Sequence, residues 1–152
     1  MKRDFDLIVF GATGFTGRLV AEYLQHAHGS SGSLRWALAG RSADKLARVR
    51  DELGIDGALP LLVADAGDAA ALQQLVARTQ VVITTVGPYQ LHGQTLINAC
   101  ALGGTDYVDL CGEPGWMREM IDEHQDAAKA SGARITFSCG FDSIPFDLGV
   151  LF

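Results

Sequence analysis

The chain has 152 residues, 48% of them hydrophobic and 20% charged, with a formal net charge of −6. These values fit one globular α/β domain able to bury a sizeable core. They argue against nucleic acid as the main partner, because a phosphate backbone wants a basic face. Asp4 and Asp6 break up the N-terminal segment, which reads as neither signal peptide nor anchor, and no apolar run approaches the roughly 20 residues of a membrane span.

In chain order, Leu7–Phe10 reads as a short buried strand that runs into Gly11, Gly14 and Gly17. Leu19, Val20 and Leu24 then follow at helical spacing. After the Gly/Ser-rich loop HGSSGS, Leu34–Ala39 reads as a second strand, and Ser42 as the N-cap of a helix to Leu53 with Leu46, Val49 and Leu53 on one face. Leu61–Ala64 is a third strand, and Asp68 caps a helix striped by Leu72, Leu75 and Val76. Val81–Val86 is β-branched at nearly every position and stops at Gly87-Pro88. A helix over Gly93–Leu102, a strand at Tyr107–Leu110, a long helix over Trp116–Ser131 and a sixth strand at Arg134–Ser138 complete the pattern. Such apolar strands joined by helices imply a doubly wound, Rossmann-type parallel sheet of about six strands, with helices on both faces.

The glycine turn is how a chain makes room for a dinucleotide pyrophosphate. Gly11 permits the tight turn, Gly14 lets the backbone approach the phosphates, and Gly17 lets the helix pack on the strand. The helix N-terminus adds attraction for the anion, so Gly11, Ala12, Thr13, Gly14, Phe15, Thr16 and Gly17 form the expected pyrophosphate site. The spacing is GxxGxxG, a variant common where the cofactor is NADP. At the end of the second strand an NAD site would place a carboxylate on the ribose hydroxyls. Here the chain reads Ala39-Gly40-Arg41-Ser42, with Lys45 one turn on. A guanidinium holds a 2′-phosphate where a carboxylate would repel it, so NADP is expected, with Arg41 as discriminator and Ser42 and Lys45 as helpers.

Other strand ends supply further candidates. Asp65 is placed to meet the adenine or ribose, although capping the next helix explains it equally well. Val86, Gly87 and Pro88 face the second ribose or the nicotinamide. Asp142 and Ser143 are the catalytic candidates at the substrate end, with Glu113 and Tyr89 behind them, and Asp142 has the alternative role of capping a helix that begins near Pro145. His92 is placed near the nicotinamide end as an acid/base candidate. His26 and His28 read as exposed helix-end residues, and His124, Trp36 and Trp116 as packing residues. No Tyr is followed by Lys at YxxxK spacing, no GxSxG elbow occurs, and His and Cys fall at no recognised zinc spacing, so no metal is expected. Cys100, Cys111 and Cys139 read as free thiols in a reducing cytoplasm.

Taken together, GATGFTG, the AGR after the second strand, TTVGPYQLHGQTLINAC, GGTDYVDLCGE and SCGFDSIPFDLG resemble the N-terminal domain of the saccharopine dehydrogenase-like oxidoreductases. Within that group the chain is most similar to the bacterial branch that includes the trans-acting enoyl reductases. The resemblance implies hydride transfer to or from a nicotinamide, with a small-molecule substrate such as an enoyl or imine group. It also implies a larger second domain that supplies much of the substrate pocket and the contacts of a homodimer. Gly149–Phe152, apolar and uncapped, reads as a poor natural terminus, so residues 1–152 are expected to be the cofactor domain of a longer two-domain protein, inactive alone. The alternative is an NADP-sensing regulatory module without catalysis, related to the isoflavone reductases, whose glycine turn is similar.

Overall fold

The structure is a computed structural model that describes residues 3–30 and 32–152; Met1, Lys2 and Ser31 of the Gly/Ser-rich loop lie outside the described residues. Six strands, β1 (Phe5–Phe10), β2 (Trp36–Gly40), β3 (Leu61–Val63), β4 (Thr79–Thr84), β5 (Asp106–Val108) and β6 (Ile135–Thr136), form one sheet in the order β3-β2-β1-β4-β5-β6. Every pairing is parallel. The connections are α1 (Phe15–His28), α2 (Ala43–Glu52), α3 (Ala69–Val76), α4 (Tyr89–His92), α5 (Gln94–Gly103) and α6 (Pro114–Ser131), and α7 (Ile144–Gly149) follows β6. The strand order reverses between β1 and β4, the switch point where doubly wound sheets bind their ligands.

Period-two alternation divides the core. Leu7 and Val9 of β1, with Trp36 and Leu38 of β2, face α1 and α2 and pack with Ala21, Leu24 and Leu46. Ile8 and Phe10, with Ala37, Ala39 and Val82, face the other way, onto Leu72, Leu96, Ile97 and Met120 of α3, α5 and α6. The two layers are unequal. On the α1 side Val81, Ile83 and Val108 are only partly buried, and α7 buries no residue. The sheet face over β4 and β5 is therefore open on that side, and a cleft forms there.

The expected elements are present, with shifted limits. β2 begins at Trp36 because Leu34 and Arg35 lead into it from outside: Arg35 is tied by its N–H to Asp6 Oδ2 at 3.0 Å and by its carbonyl to the Asp6 N–H at 2.8 Å. β4 starts and ends two residues earlier than the β-branched run. Thr79 pairs with Phe5, while the Val86 N–H is drawn to Thr84 Oγ1 and leaves the ladder. β6 shrinks to two residues because Ser138 turns into the left-handed region at φ 58°. Ser42 and Asp68 cap as expected, accepting from the Lys45 and Ala71 amides at 3.4 and 3.0 Å. The long helix starts at Pro114, which suits a first turn that has no use for the missing N–H.

Arg3 closes the amino-terminal side of the sheet. Its guanidinium donates to the carbonyls of Val76, Thr79, Gly103 and Gly104 and to Thr105 Oγ1, joining the ends of α3 and α5 to the start of β4. Truncation strips several carbonyls of a charged donor at once. Arg3→Ala is expected to lower the free energy of unfolding by about 2–3 kcal/mol in a urea titration; an unchanged midpoint would show the contacts to be without energetic weight.

Candidate functional site

The β1–α1 turn is shaped by two close approaches. Gly11 adopts φ +92°, and a β-carbon there would lie 2.8 Å from Thr85 Oγ1 and from Val86 Cγ2. At Gly17 a β-carbon would collide with the Gly11 carbonyl and would lie 2.8 Å from Thr85 Oγ1. Gly14 differs: its added β-carbon would meet only the Gly11 carbonyl oxygen, at an ordinary 3.4 Å, so the approach to it is open. The Gly11 and Ala12 amides are used by the Ala39 carbonyl and the Gly14 amide by Gly11. The amides of Phe15, Thr16 and Gly17, in the first turn of α1, have no acceptor among the described residues, and Gly14 caps without a side chain. Three free donors at the positive end of a 14-residue helix are an arrangement that could hold an anion.

A groove of about 270 Å³ runs across the switch point from this turn. Phe10, Gly11, Thr13 and Gly14 form its floor. Gly40, Arg41, Ala64, Asp65 and Ala66 lie on the β2–β3 side, and Thr85, Val86, Gly87 and His92 on the β4 side. Arg41 is exposed and joins none of the ion pairs among the described residues, so its charge is free for a ligand. Ser42 spends one lone pair on the Lys45 amide but keeps its hydroxyl proton to donate. Asp65 Oδ1 accepts from the Gly67 amide at 2.9 Å and Asp68 caps α3, which leaves Asp65 at the groove edge without the capping role. These features fit a dinucleotide bearing an additional phosphate: free amides for the pyrophosphate, an unpaired guanidinium beyond β2, and no competing carboxylate at that strand end.

Thr85 also borders a second cleft, of about 440 Å³, over the open sheet face. Thr16 and Val20 of α1 line it from one side, Ile83, Val108, Asp109 and Leu110 from below, and Cys139–Ser143 from the β6 end. Asp142 and Ser143 stand on its rim. Asp142 is exposed and caps nothing, since Ser143 is the N-cap of α7 and makes no side-chain cap bond. Cys100, Cys111 and Cys139 are free, and burial pushes each thiol above its ordinary range, so none is a thiolate at neutral pH.

Several candidates stand elsewhere than expected. Lys45 is exposed on α2, outside the residues that line the groove. Pro88 is the N-cap of α4 and does not line the groove, whereas Gly87 does. Phe15 contributes its amide, while its ring is 83% exposed. His92, by contrast, lines the β4 side of the groove beside Val86 and Gly87 and not the second cleft. Glu113 and Tyr89 do not line the second cleft. The Glu113 carboxylate accepts from the Tyr89 and Gln90 amides, each at 2.8 Å, and so caps α4. The Tyr89 hydroxyl is buried, donates to the Thr84 carbonyl at 3.1 Å and accepts from the Leu110 amide at 3.4 Å, and burial pushes its pKa up to about 12. His124 is more buried than a half-exposed packing residue, and its Nε2 has no hydrogen-bond partner among the described residues.

Asp109 is the residue that the sequence reading passed over. It is 3% exposed, and burial raises its carboxyl above the usual range despite three hydrogen bonds. Oδ1 accepts from the amides of Cys111 and Ser138 at 2.9 Å each, and Oδ2 from the Tyr107 hydroxyl at 2.7 Å. A charged residue within the apolar run YVDL was the available signal.

The profile of the family described as the saccharopine dehydrogenase NADP binding domain matches residues 7–135. Proteins named trans-acting enoyl reductase from Mycobacterium tuberculosis and Mycobacterium leprae are each 51% identical over 150 residues, covering 98% of this chain. The chain spans about a third, 35%, of the length of those relatives. Among solved structures, apo saccharopine dehydrogenase (L-Glu forming) from Saccharomyces cerevisiae superposes with a TM-score of 0.76 at 19% identity, over 97% of this chain and 30% of that one. An NADPH complex of the NADPH-dependent quinone oxidoreductase QOR2 from Escherichia coli superposes at 0.57 and 22% identity, over 86% and 47%. At such identities the structural likeness speaks for the fold alone.

The two glycines that frame the turn separate folding from binding. Gly17→Ala is expected to cost more than about 3 kcal/mol of stability in a denaturant titration, because the methyl meets backbone that cannot yield. Gly14→Ala is expected to stay within about 1 kcal/mol of the parent. Equal losses would contradict the geometry of the turn.

Proposed function

The chain belongs to the saccharopine dehydrogenase NADP-binding domain family, and on that premise we propose that it is the cofactor-holding part of an NADP-dependent oxidoreductase that reduces an uncharged, unsaturated group such as an enoyl group. One observation carries the reading: the free amides at the start of α1 and the unpaired Arg41 line or flank one groove across the switch point. In this arrangement the Phe15, Thr16 and Gly17 amides hold the pyrophosphate. Arg41, with the Ser42 hydroxyl, holds the 2′-phosphate through charge-assisted bonds. Asp65 and Ala66 border the adenosine. Thr85, Val86 and Gly87 set the second ribose and turn the nicotinamide toward the second cleft. The bound cofactor supplies a hydride; the chain's own residues orient it and shield it from water.

The second cleft supports the substrate class. Val20, Ile83, Val108, Leu110 and Phe141 make its lining apolar, and its charged residues are the two carboxylates Asp109 and Asp142, with no Lys, Arg or His among them. An acidic substrate group would meet repulsion there, whereas a neutral acyl chain would not. Asp142 and Ser143, on the rim, are the residues placed to touch a substrate. The relatives named as enoyl reductases support this reading. The regulatory alternative has no support among them. Three free thiols suit a reducing cytoplasm, and no described helix is long and apolar enough to cross a membrane. A homodimer would need surface beyond the cofactor groove.

Fluorescence titration of the 152-residue chain tests the cofactor reading. NADPH is expected to bind more tightly than NADH, and Arg41→Gln to weaken NADPH roughly 10- to 100-fold with NADH unchanged. Tighter binding of NADH by the parent, or an Arg41→Gln variant that keeps its NADPH affinity, would defeat the assignment.

A further inference from the structure

The segment Thr85–Pro88 walls the dinucleotide groove, yet past Thr85 it has left the β4 ladder. The Thr85 amide still bonds the Phe10 carbonyl, and the Val86 amide reaches only the neighbouring Thr84 hydroxyl. Both ends of the segment are instead tied to the end of β5. At its start, the Tyr89 hydroxyl spans the Thr84 carbonyl and the Leu110 amide. At its end, the Glu113 carboxylate takes the Tyr89 and Gln90 amides immediately after Pro88. The turn that presents Glu113 is itself folded by Asp109: Oδ1 holds the Cys111 amide, and Cys111 Sγ accepts from the Glu113 amide at 3.3 Å.

The same Asp109 oxygen holds the Ser138 amide, and the Asp109 carbonyl accepts the Cys139 amide at 2.7 Å. Ser138, at φ 58°, returns a bond from its hydroxyl to the Cys111 carbonyl at 2.7 Å. One buried carboxylate thus fixes the β5 and β6 ends that floor and rim the second cleft. Through Glu113 it also fixes the β4 end that walls the groove. If Asp109 served only to join β5 to β6, the bonds to Ser138 and Tyr107 would suffice. The continuation to Glu113 and α4 ties those two loops to the one that faces the cofactor.

We propose that Asp109 and Glu113 are positioning residues that hold the β4–α4 turn against the nicotinamide half of the dinucleotide and keep that turn in register with the second cleft. The proposal rests on the placement of the cofactor given above, with the adenosine half on the Arg41 side. No member of the relay touches the Arg41 side of the groove, so its loss acts on one half of the ligand. Glu113→Gln turns an amide group toward an N–H that needs an acceptor, and Asp109→Asn turns one toward the Tyr107 hydroxyl and removes the charge.

Calorimetric titration of the parent chain and both variants with NADPH, and separately with adenosine 2′,5′-bisphosphate, tests this. Each variant is expected to bind NADPH about tenfold more weakly while its affinity for the bisphosphate stays within about twofold of the parent. Circular dichroism first establishes that the variants fold; should Asp109→Asn fail, the nearer-surface Glu113→Gln carries the same comparison. Equal loss for both ligands would mark the residues as merely structural, and unchanged NADPH affinity would remove the relay; either result overturns the proposal. A parent chain that bound neither ligand would overturn the cofactor placement beneath it.

Discussion

The packing of the first turn of α1 directly on the turn that ends β1 governs what the rest of the molecule can do. The Gly17 backbone lies so near the Gly11 carbonyl that no side chain fits between them, and Thr85, at the end of β4, closes on the same point with a 3.2 Å hydrogen bond to that carbonyl. This contact sets the angle at which α1 leaves the sheet, and with it the direction of three unpaired amides. It also joins the two strands on either side of the switch point, so the anion site and the groove walls are positioned by one junction. Gly14, beside it, leaves a gap where a ligand can approach. A helix start with unsatisfied donors is unfavourable to bury; here it lies beside Gly14, which lines the groove.

From that junction the two halves of the sheet diverge. Toward β2 the strand is buried throughout, the edge strand β3 is partly exposed, and the proposed contribution to binding is a single guanidinium on an exposed loop. Toward β5 and β6, one face is open, and the ends of the strands are held by buried side-chain bonds more than by ladder pairs. β5 and β6 have three and two residues respectively. Strands that short contribute few backbone bonds, and Asp109, Tyr89, Glu113 and Ser138 supply the order that the ladder does not. The three donors offset only part of the cost of burying the Asp109 carboxylate, whose pKa stays above the usual range.

The sheet and its order of elements were legible because their signals are local. The apolar run LIVF, caps at Ser42 and Asp68, and glycines three residues apart each act within one turn or strand. The proposed pyrophosphate turn and Arg41 rest on the same kind of local signal, Arg41 as the residue at a strand end. What escaped was non-local. The short helix α4 is capped by a carboxylate about two dozen residues away, so nothing near Tyr89 announces it. Glu113 and Tyr89 looked like free polar groups at a strand end, and only the fold shows their hydrogen bonds already spent. Asp109 reads as one more residue of the strand Tyr107–Leu110 until Ser138 and Cys111 are brought against it. Lys45 sits one turn beyond Arg41 in sequence, but helix geometry carries it away from the groove.

The anion site at the head of α1 is tested most directly by amide chemical shifts of the isotope-labelled chain titrated with NADP. The Phe15, Thr16 and Gly17 amides are expected to move together and saturate with one affinity, accompanied by Arg41 and Gly87 across the groove. Saturating shifts that spare those three amides and fall elsewhere on the molecule would contradict the assignment of the helix terminus as the pyrophosphate site.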